Sequence, residues 1–541
     1  MIDRRTLLAI SLCFGIFLGW QKLYIEPQLA AKQAAQQALA AQATVASTAS
    51  TAASTAASSA ATAAEASGKA QEVALAHKPA ETLPVSSGIA DAKVGDAGEF
   101  LVDWTSRAYH QGLSVDTASI DLETVTSHGG QIDLSFENQD FAYLAHVQGE
   151  LKKTPSGAIW TYEDANVKME REFTGQNDGN SKPYLNIGVR VQFKAKHPNY
   201  AFLSIASEKL QTKDPEEKDR SLFYFTNNSF ERIQLKSVKL EQVSTPVHYI
   251  GASTRYFVLA LVNDSPLEAR ALTQPLPNEA GGRISLVYPV TSSQLSIATR
   301  AYFGPKELIT LRAADPTLDH VVDFGWFTAI AYPLLNILKW LNQYVRNYGV
   351  AIILLTVLLK VITFPLTYKS MKSMKEMARL QPQLARLKEQ YKDNKEELNK
   401  RTLEMMRTHG YNPVAGCLPM VIQMPIFFAL YRVLYSSIEL YHAPFAFWIH
   451  DLSAHDPFYV TPVLMTGLMF LQQKMTPNTA TDPTQQKMMQ LMPVIFGAFM
   501  LALPSGLTIY MLVNAGASVL QQGFLNKKFA TVGPSGVITV S

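Results

Sequence analysis

Two hydrophobic rhythms divide the chain. Between Trp104 and Leu311 apolar residues recur at every second position, as in half-buried strands; Leu185, Ile187, Val189, Val191 and Phe193 alternate with polar or small neighbours. Ile132-Leu134-Phe136, Ile233-Leu235 and Ile284-Leu286-Tyr288 repeat the theme between Gly, Asn and Asp turn signals. Tyr256 to Val262 is a continuous apolar run, as in a central strand. About 200 residues of this pattern predict one large antiparallel sandwich rather than two small domains.

From Phe324 the rhythm becomes helical. Trp326, Phe327, Ile330, Leu334, Leu335, Leu338, Leu341 and Val345 are interspersed with Asn336, Lys339, Asn342 and Gln343. This predicts an amphipathic helix, kinked at Pro333, lying along the outer membrane surface. Apolar runs follow at Gly349–Thr367, Cys417–Tyr435, Thr461–Leu471, Met489–Leu503 and Leu507–Leu520. Met489–Leu503 reaches only about 22 Å against ~30 Å of hydrocarbon, so either the bilayer thins there or the helix outruns its apolar stretch. At the start, Arg4 and Arg5 precede the run Leu7–Trp20. Trp20, Leu23 and Tyr24 at its end favour an uncleaved anchor over a signal peptide. Residues 28–98, largely Ala, Ser and Thr, show no periodicity able to bury a core and read as a tether.

Charge orients these spans. Tyr368–Ala415 carries eleven Lys/Arg against six Asp/Glu, whereas Ser436–Pro462 has neither Lys nor Arg. The positive-inside rule puts 368–415 in the cytoplasm and 436–462 outside, with six crossings and both termini inside. Within the cytoplasmic segment, Met371, Met374, Met377, Leu380, Leu384, Leu387 and Tyr391 keep helical spacing. Asp393 and Glu396 open a second helix that ends at Gly410, giving an αα-hairpin. The methionine stripe is either an adaptable surface for apolar partners or the packing of the hairpin itself.

Polar residues inside the apolar runs are the candidate chemistry. Lys360, Gln423 and Asn514 fall at about 12, 9 and 10 Å from the inner edge of their spans. Thr356 and Thr363 share the helical face of Lys360. A charge at mid-span costs ~2.5–3.5 kcal/mol and requires water or a partner. Lys360 could snorkel while Gln423 and Asn514 bond between helices, or the three could line a hydrated cavity open to the cytoplasm. The outer halves of these helices are apolar apart from Arg432, which suits a half-channel rather than a pore.

Composition narrows the chemistry further. The 541 residues carry a net charge of only +3, too little to indicate nucleic acid. Two cysteines, Cys13 and Cys417, leave no disulfide scaffold or Cys-based zinc site. GxSxG, HExxH, GxGxxG and P-loop patterns are absent.

Specific motifs lie along the helical part. Asn412-Pro413, Gly416-Cys417-Leu418-Pro419 and Gln423-Met424-Pro425-Ile426-Phe427 resemble the YidC family of membrane protein insertases, as do Phe364-Pro365-Leu366-Thr367, Pro444-Phe445 and Trp448-Ile449-His450-Asp451-Leu452. Met492-Pro493-Val494-Ile495-Phe496, Pro504-Ser505-Gly506-Leu507 and Tyr510 complete the set, while Phe303-Gly304-Pro305 and the long outer domain resemble the Gram-negative form. The resemblance implies a mixed fold: an α-helical membrane bundle and an all-β supersandwich periplasmic domain. It implies a hydrophilic groove open to the cytoplasm, whose usual arginine is here Lys360, and substrate contacts at Thr356, Met424, Phe427, Tyr510 and Met511. Nascent membrane proteins, the Sec translocon, the ribosome and membrane lipids are the implied partners, in the bacterial inner membrane.

The expected organisation is an anchor at 1–27, the linker 28–98, the β domain 99–320, an interfacial helix 321–346, a five-helix core 347–522 and a cytoplasmic tail 523–541. The expected groove comprises Lys360, Thr356, Gln423, Met424, Phe427, Tyr510, Met511 and Asn514, and the client-receiving hairpin face Met371, Met374, Met377, Leu384 and Leu387. No catalytic residue, cofactor or metal is expected. The alternatives are an ion-coupled transporter using Lys360 as relay and a membrane-anchored carbohydrate-binding protein.

Overall fold

The computed structural model describes residues 81–530 apart from 97–99, 111–112, 114–116, 122–131, 146, 176–181, 209–218, 227–228, 278–280, 392–393, 409–412 and 477–482. The expected N-terminal anchor, most of the linker and the end of the tail lie outside the described residues.

A four-stranded antiparallel sheet comes first, in the order β1 (Thr82–Ser86), β2 (Ala90–Gly95), β3 (Val102–His110) and β4 (Ser119–Asp121). The larger sheet holds β5 (Ile132–Phe136), β6 (Glu150–Thr154), β7 (Gly157–Glu163), β8 (Val167–Thr174), β9 (Leu185–Phe193), β10 (Tyr200–Glu208) and β11 (Ser221–Thr226). It continues with β12 (Phe230–Gln234), β13 (Glu241–Ser253), β14 (Phe257–Asn263), β15 (Arg270–Pro275), β16 (Gly281–Pro289) and β17 (Gln294–Pro305). Its hydrogen-bonded path is β5-β10-β16-β15-β13-β14-β17-β9-β8-β7-β6, with β11 bridging β13 to β12, and the sheet packs its apolar faces into a sandwich. The alternation in β9 maps directly onto burial: Leu185, Ile187, Val189, Val191 and Phe193 are all inside.

Strands β1 and β2 lie within the stretch expected to be linker. The β domain therefore begins before residue 99, since Val85, Ala90, Ala92 and Val94 are buried in the sandwich core. In β2 half of the buried positions are alanine, which an Ala-rich tether conceals, and β1 is five residues long with Pro84 inside it.

The helical part follows: α1 (Leu308–Ala314), α2 (Thr328–Val345), α3 (Tyr348–Gln390), α4 (Lys395–Thr408), α5 (Pro413–Ser436), α6 (Val460–Met475), α7 (Pro483–Met500) and α8 (Ser505–Ala530). Helix α2 buries Ala331, Leu334, Leu335 and Leu338 against the bundle and leaves Trp326, Trp340 and Tyr344 at its flanks exposed. Arg346 in the left-handed region turns the chain, and Asn347 caps α3 by accepting from Val350 N at 3.0 Å. Gly349 is needed there, since a Cβ would fall 2.0 Å from the Phe445 ring.

No break separates the apolar run ending at Thr367 from the hairpin that follows. Helix α3 runs 43 residues, so the first arm of the hairpin continues the first span. Good helix formers continue past the apolar run; Asn394 caps α4 by accepting from Glu397 N, while the expected Asp393 lies outside the described residues. Helix α7 begins six residues before the apolar run at Met489, and its 18 residues span roughly 27 Å.

Candidate functional site

The candidate site lies where α3, α5 and α8 meet. The segment before α6 fixes the start of α8: Ser505 N and Oγ donate to Ala454 O, and Gly506 N donates to Leu452 O at 2.9 Å. A Cβ on Gly506 would lie 3.3 Å from that carbonyl, so the Pro-Ser-Gly sequence permits the close approach. Asp456 is buried and accepts from Trp448 Nε1, Phe458 N and both Thr461 donors, starting α6; Thr461 and Thr508 hydroxyls then meet at 2.9 Å.

On this frame Lys360 Nζ donates to Ser518 Oγ at 2.7 Å, and the serine donates onward to Asn514 O at 2.8 Å. Gln521 Nε2 donates to Lys360 O at 3.3 Å. Gln423 Nε2 donates to the Tyr510 hydroxyl at 3.2 Å. The expected single polar level is therefore two: the partners of Lys360 and Gln423 are eight residues apart on α8, about 12 Å. The apolar runs were a poor ruler, because α3, α5 and α8 all extend beyond them.

The remaining expected residues divide by exposure. Thr356 and Tyr510 are buried, and the Thr356 and Thr363 hydroxyls bond back to Ile352 O and Leu359 O of their own helix. Contact of Thr356 or Tyr510 with a client requires the helices to part. Gln423, Phe427, Met511 and Asn514 are half-buried, and Met424 is 43% exposed. In the hairpin Met371 and Leu384 are buried and Met374 and Leu387 half-buried; the side chain of Met377 lies outside the described set. Packing therefore occupies two residues assigned to the client-receiving face, because the stripe of an unbroken α3 turns toward its neighbours.

Ser518 and Gln521 were missed. The signal was present, since Ser518 follows Asn514 by one helical turn and shares its face, but a lone serine does not interrupt an apolar pattern.

Around this polar line the bundle is apolar outward. Leu354, Val357, Leu358, Val361 and Ile362 on α3 are exposed, as are Leu491, Met492, Val494, Ile495 and Phe499 on α7. Contiguous apolar surface of this kind belongs against lipid rather than water. Among the described residues, Tyr348–Lys375 is the one helix long and apolar enough by itself to cross a membrane.

Residues 63–337 match the family described as YidC periplasmic domain, and residues 340–532 the family described as 60Kd inner membrane protein. A membrane protein insertase YidC from Geobacter metallireducens is 36% identical over 427 residues, 77% of this chain and 75% of that protein. Another, from Geotalea daltonii, is 46% identical over 269 residues, which span about half of each chain (50% and 48%). A solved active YidC insertase with its first transmembrane domain resolved aligns with 83% of this chain and 93% of its own, at 17% identity and a TM-score of 0.35. The chain belongs to the YidC family of membrane protein insertases.

Proposed function

We propose that this insertase receives a nascent helix and its polar flank along the line from Gln423 to Lys360, and releases the helix sideways past the exposed faces of α3 and α5. The observation that carries this reading is the Lys360–Ser518 bond: a cation inside an apolar helix, held by one hydroxyl, with exposed apolar surface on the same helix. A charge placed so keeps water or a polar guest near it. Such a guest is spared part of its desolvation cost while its apolar segment finds lipid. The action involves no covalent chemistry.

In this reading Met424 and Phe427 meet the client first, and Thr356, Tyr510, Met511 and Asn514 follow once the helices part. The chain crosses the inner membrane six times with both termini and the 368–415 hairpin in the cytoplasm. The β domain is periplasmic, and α2 lies at its membrane surface. Nascent chains arrive from the ribosome, with the Sec translocon and membrane lipids as further partners. Residues 1–27, 28–80 and 523–541 serve as anchor, tether and tail.

Photo-crosslinkers at Met424 and Phe427 should capture arrested nascent membrane proteins, while one at Ile495 should capture lipid. Equal capture of clients at all three positions would overturn the groove. Cysteine labels at 440–458 should react from outside intact cells, and labels at 375–410 only after permeabilisation. Outside labelling of the hairpin would overturn the topology.

A further inference from the structure

The outer domain meets the bundle at the last turn of α5, where positive charge is in excess. Arg255, on the turn between β13 and β14, is only 7% exposed. Its Nε donates to Tyr435 O at 2.6 Å, and its guanidinium lies 3.6 Å from the centre of the Tyr435 ring. Arg232 on β12 donates Nη2 to Val321 O at 2.7 Å. Arg432, exposed and one turn before Tyr435, is close enough to Arg232 for their charges to repel. Lys306, next to the end of β17, is half-buried and donates to Thr254 O.

The carboxylates acting on Arg232 and Lys306 are Asp219 and Asp323, while Glu307 and Glu439 are already engaged by Lys339 at 3.6 and 3.0 Å. The C-terminal dipole of α5 offsets about half a charge more, and Arg255 Nε already answers it. Two guanidinium N–H groups then remain without an acceptor among the described residues, both shielded from solvent: Arg232 Nε and Arg255 Nη2. Unpaired buried donors of this kind call for a missing partner. Burial also pushes the Arg232 guanidinium and the Lys306 amine down from their ordinary values, a cost that a bound anion would offset.

The surroundings indicate which anion. The exposed ring of Phe428 on α5, one turn before Arg432, stacks on Phe327 at 5.5 Å, so apolar surface adjoins the cations. We propose that this junction binds a phosphate group, supplied by the head group of a phospholipid in the adjoining leaflet or by free phosphate. Guanidinium forks match the oxygens of a phosphate bidentately, and the adjoining apolar surface suits the acyl chains of a phospholipid. The lipid source rests on the proposed span of α5; phosphate recognition itself does not.

Native mass spectrometry of the full chain in detergent tests this with three additives: phosphatidylglycerol, a diacylglycerol with the same acyl chains, and inorganic phosphate. Phosphatidylglycerol should bind and the diacylglycerol should not. Arg255→Gln and Arg432→Gln should each weaken binding at least fivefold, with Lys168→Gln on β8 as the unaffected control. Binding of inorganic phosphate with the same sensitivity, and its failure to be displaced by the lipid, would identify the free ion as the source. If Arg255→Gln fails to fold, exposed Arg432→Gln still decides. Equal binding of the diacylglycerol, or affinity unchanged in the variants, would overturn the proposal, and neither result depends on the groove.

Discussion

The β domain and the helical bundle use apolar side chains in opposite ways. In the β domain Trp104, Trp160, Phe173, Phe202 and Tyr249 are fully enclosed, and exposed large apolar residues among those described before residue 320 amount to Leu113, Leu240 and Ile309. In the bundle, exposed Val361, Ile362, Val463, Ile495 and Phe499 stand on helices whose other faces are buried. Water drives the first arrangement through burial, and lipid removes that drive in the second. Polar groups follow the same division. Away from its junction with the bundle, the β domain pairs charges within itself, as where Arg300 forks onto Asp264 and reaches Asp315 at 3.2 Å. The bundle leaves Lys360 with a hydroxyl as its hydrogen-bond acceptor.

The largest expected effect exploits that difference. Leu259→Ala on β14, at 0% exposure, should cost the β domain about 3–4 kcal/mol, read as a lowered unfolding transition in the purified protein. Ile362→Ala on α3, at 64% exposure, should change unfolding in detergent by less than about 0.5 kcal/mol. Comparable losses would mean that Ile362 is packed in the working assembly, and the contrast would fail.

Next comes the polar tether between α1 and the sandwich. Asp315 is buried, which works against its charge, but His248 at 3.0 Å and the Thr317 hydroxyl and N–H outweigh burial, helped by Arg300. The carboxyl is therefore held well below its ordinary 3.8. A depressed carboxylate adds stability above its unfolded value, and that stability is lost as the pH falls through the folded value. Asp315→Asn should cost about 2 kcal/mol at pH 7 by taking a charged acceptor from both Arg300, which keeps Asp264, and His248. The stability of the parent chain should be flat in this respect down to about pH 4 and then fall, and the variant should lack that part of the slope. Parallel slopes for the two proteins would remove Asp315 from the acid response.

A smaller effect is expected at Lys360. Lys360→Arg keeps charge and reach, and insertion should persist. Lys360→Glu should insert a client with an acidic flank about tenfold more slowly than Lys360→Gln, a difference of roughly 1.4 kcal/mol. Two like charges 4 Å apart at an effective dielectric of ~20 set an upper scale of about 4 kcal/mol, which water in the groove would reduce. Equal rates for Gln and Glu at matched protein levels would exclude an electrostatic role.

What was legible in the sequence follows the same divide. Strands such as β9 and β16 could be read because burial on one face imposes a period of two. Strands β1 and β2 could not: alanine gives β2 too little hydrophobic contrast, and β1 buries a single large apolar residue, Val85, beside Pro84. The helices of the bundle were legible as apolar runs, yet their ends were not: the Lys- and Met-rich sequence after Tyr368 is polar and still helical. Thr356 and Lys360 could be placed on one face by spacing alone, whereas the Lys360–Ser518 and Arg255–Tyr435 contacts join positions 158 and 180 residues apart. No local pattern encodes such pairs.

The smallest expected effect is also the sharpest test of how Lys360 is held and of whether it lies in the proposed groove. Ser518 accepts from Lys360 and donates to Asn514 O, so it spans one turn of α8 while fixing the lysine head group. Ser518→Ala removes the acceptor and leaves the helix intact, since alanine is the better helix former. A hydrogen bond to a charged group contributes about 1.5–3 kcal/mol when nothing replaces it. In a hydrated groove water substitutes, and the loss should fall to about 1 kcal/mol or less, with insertion slowed no more than a few-fold. In a dry bundle the buried ammonium would lose its partner outright, and both folding and insertion should suffer strongly. Thermal unfolding and client insertion should therefore be measured together on Ser518→Ala and on Ser518→Thr, which restores the hydroxyl. A mild defect that threonine repairs supports water around Lys360, whereas collapse of the fold in Ser518→Ala would show the lysine to be sealed within the bundle and unable to meet a client.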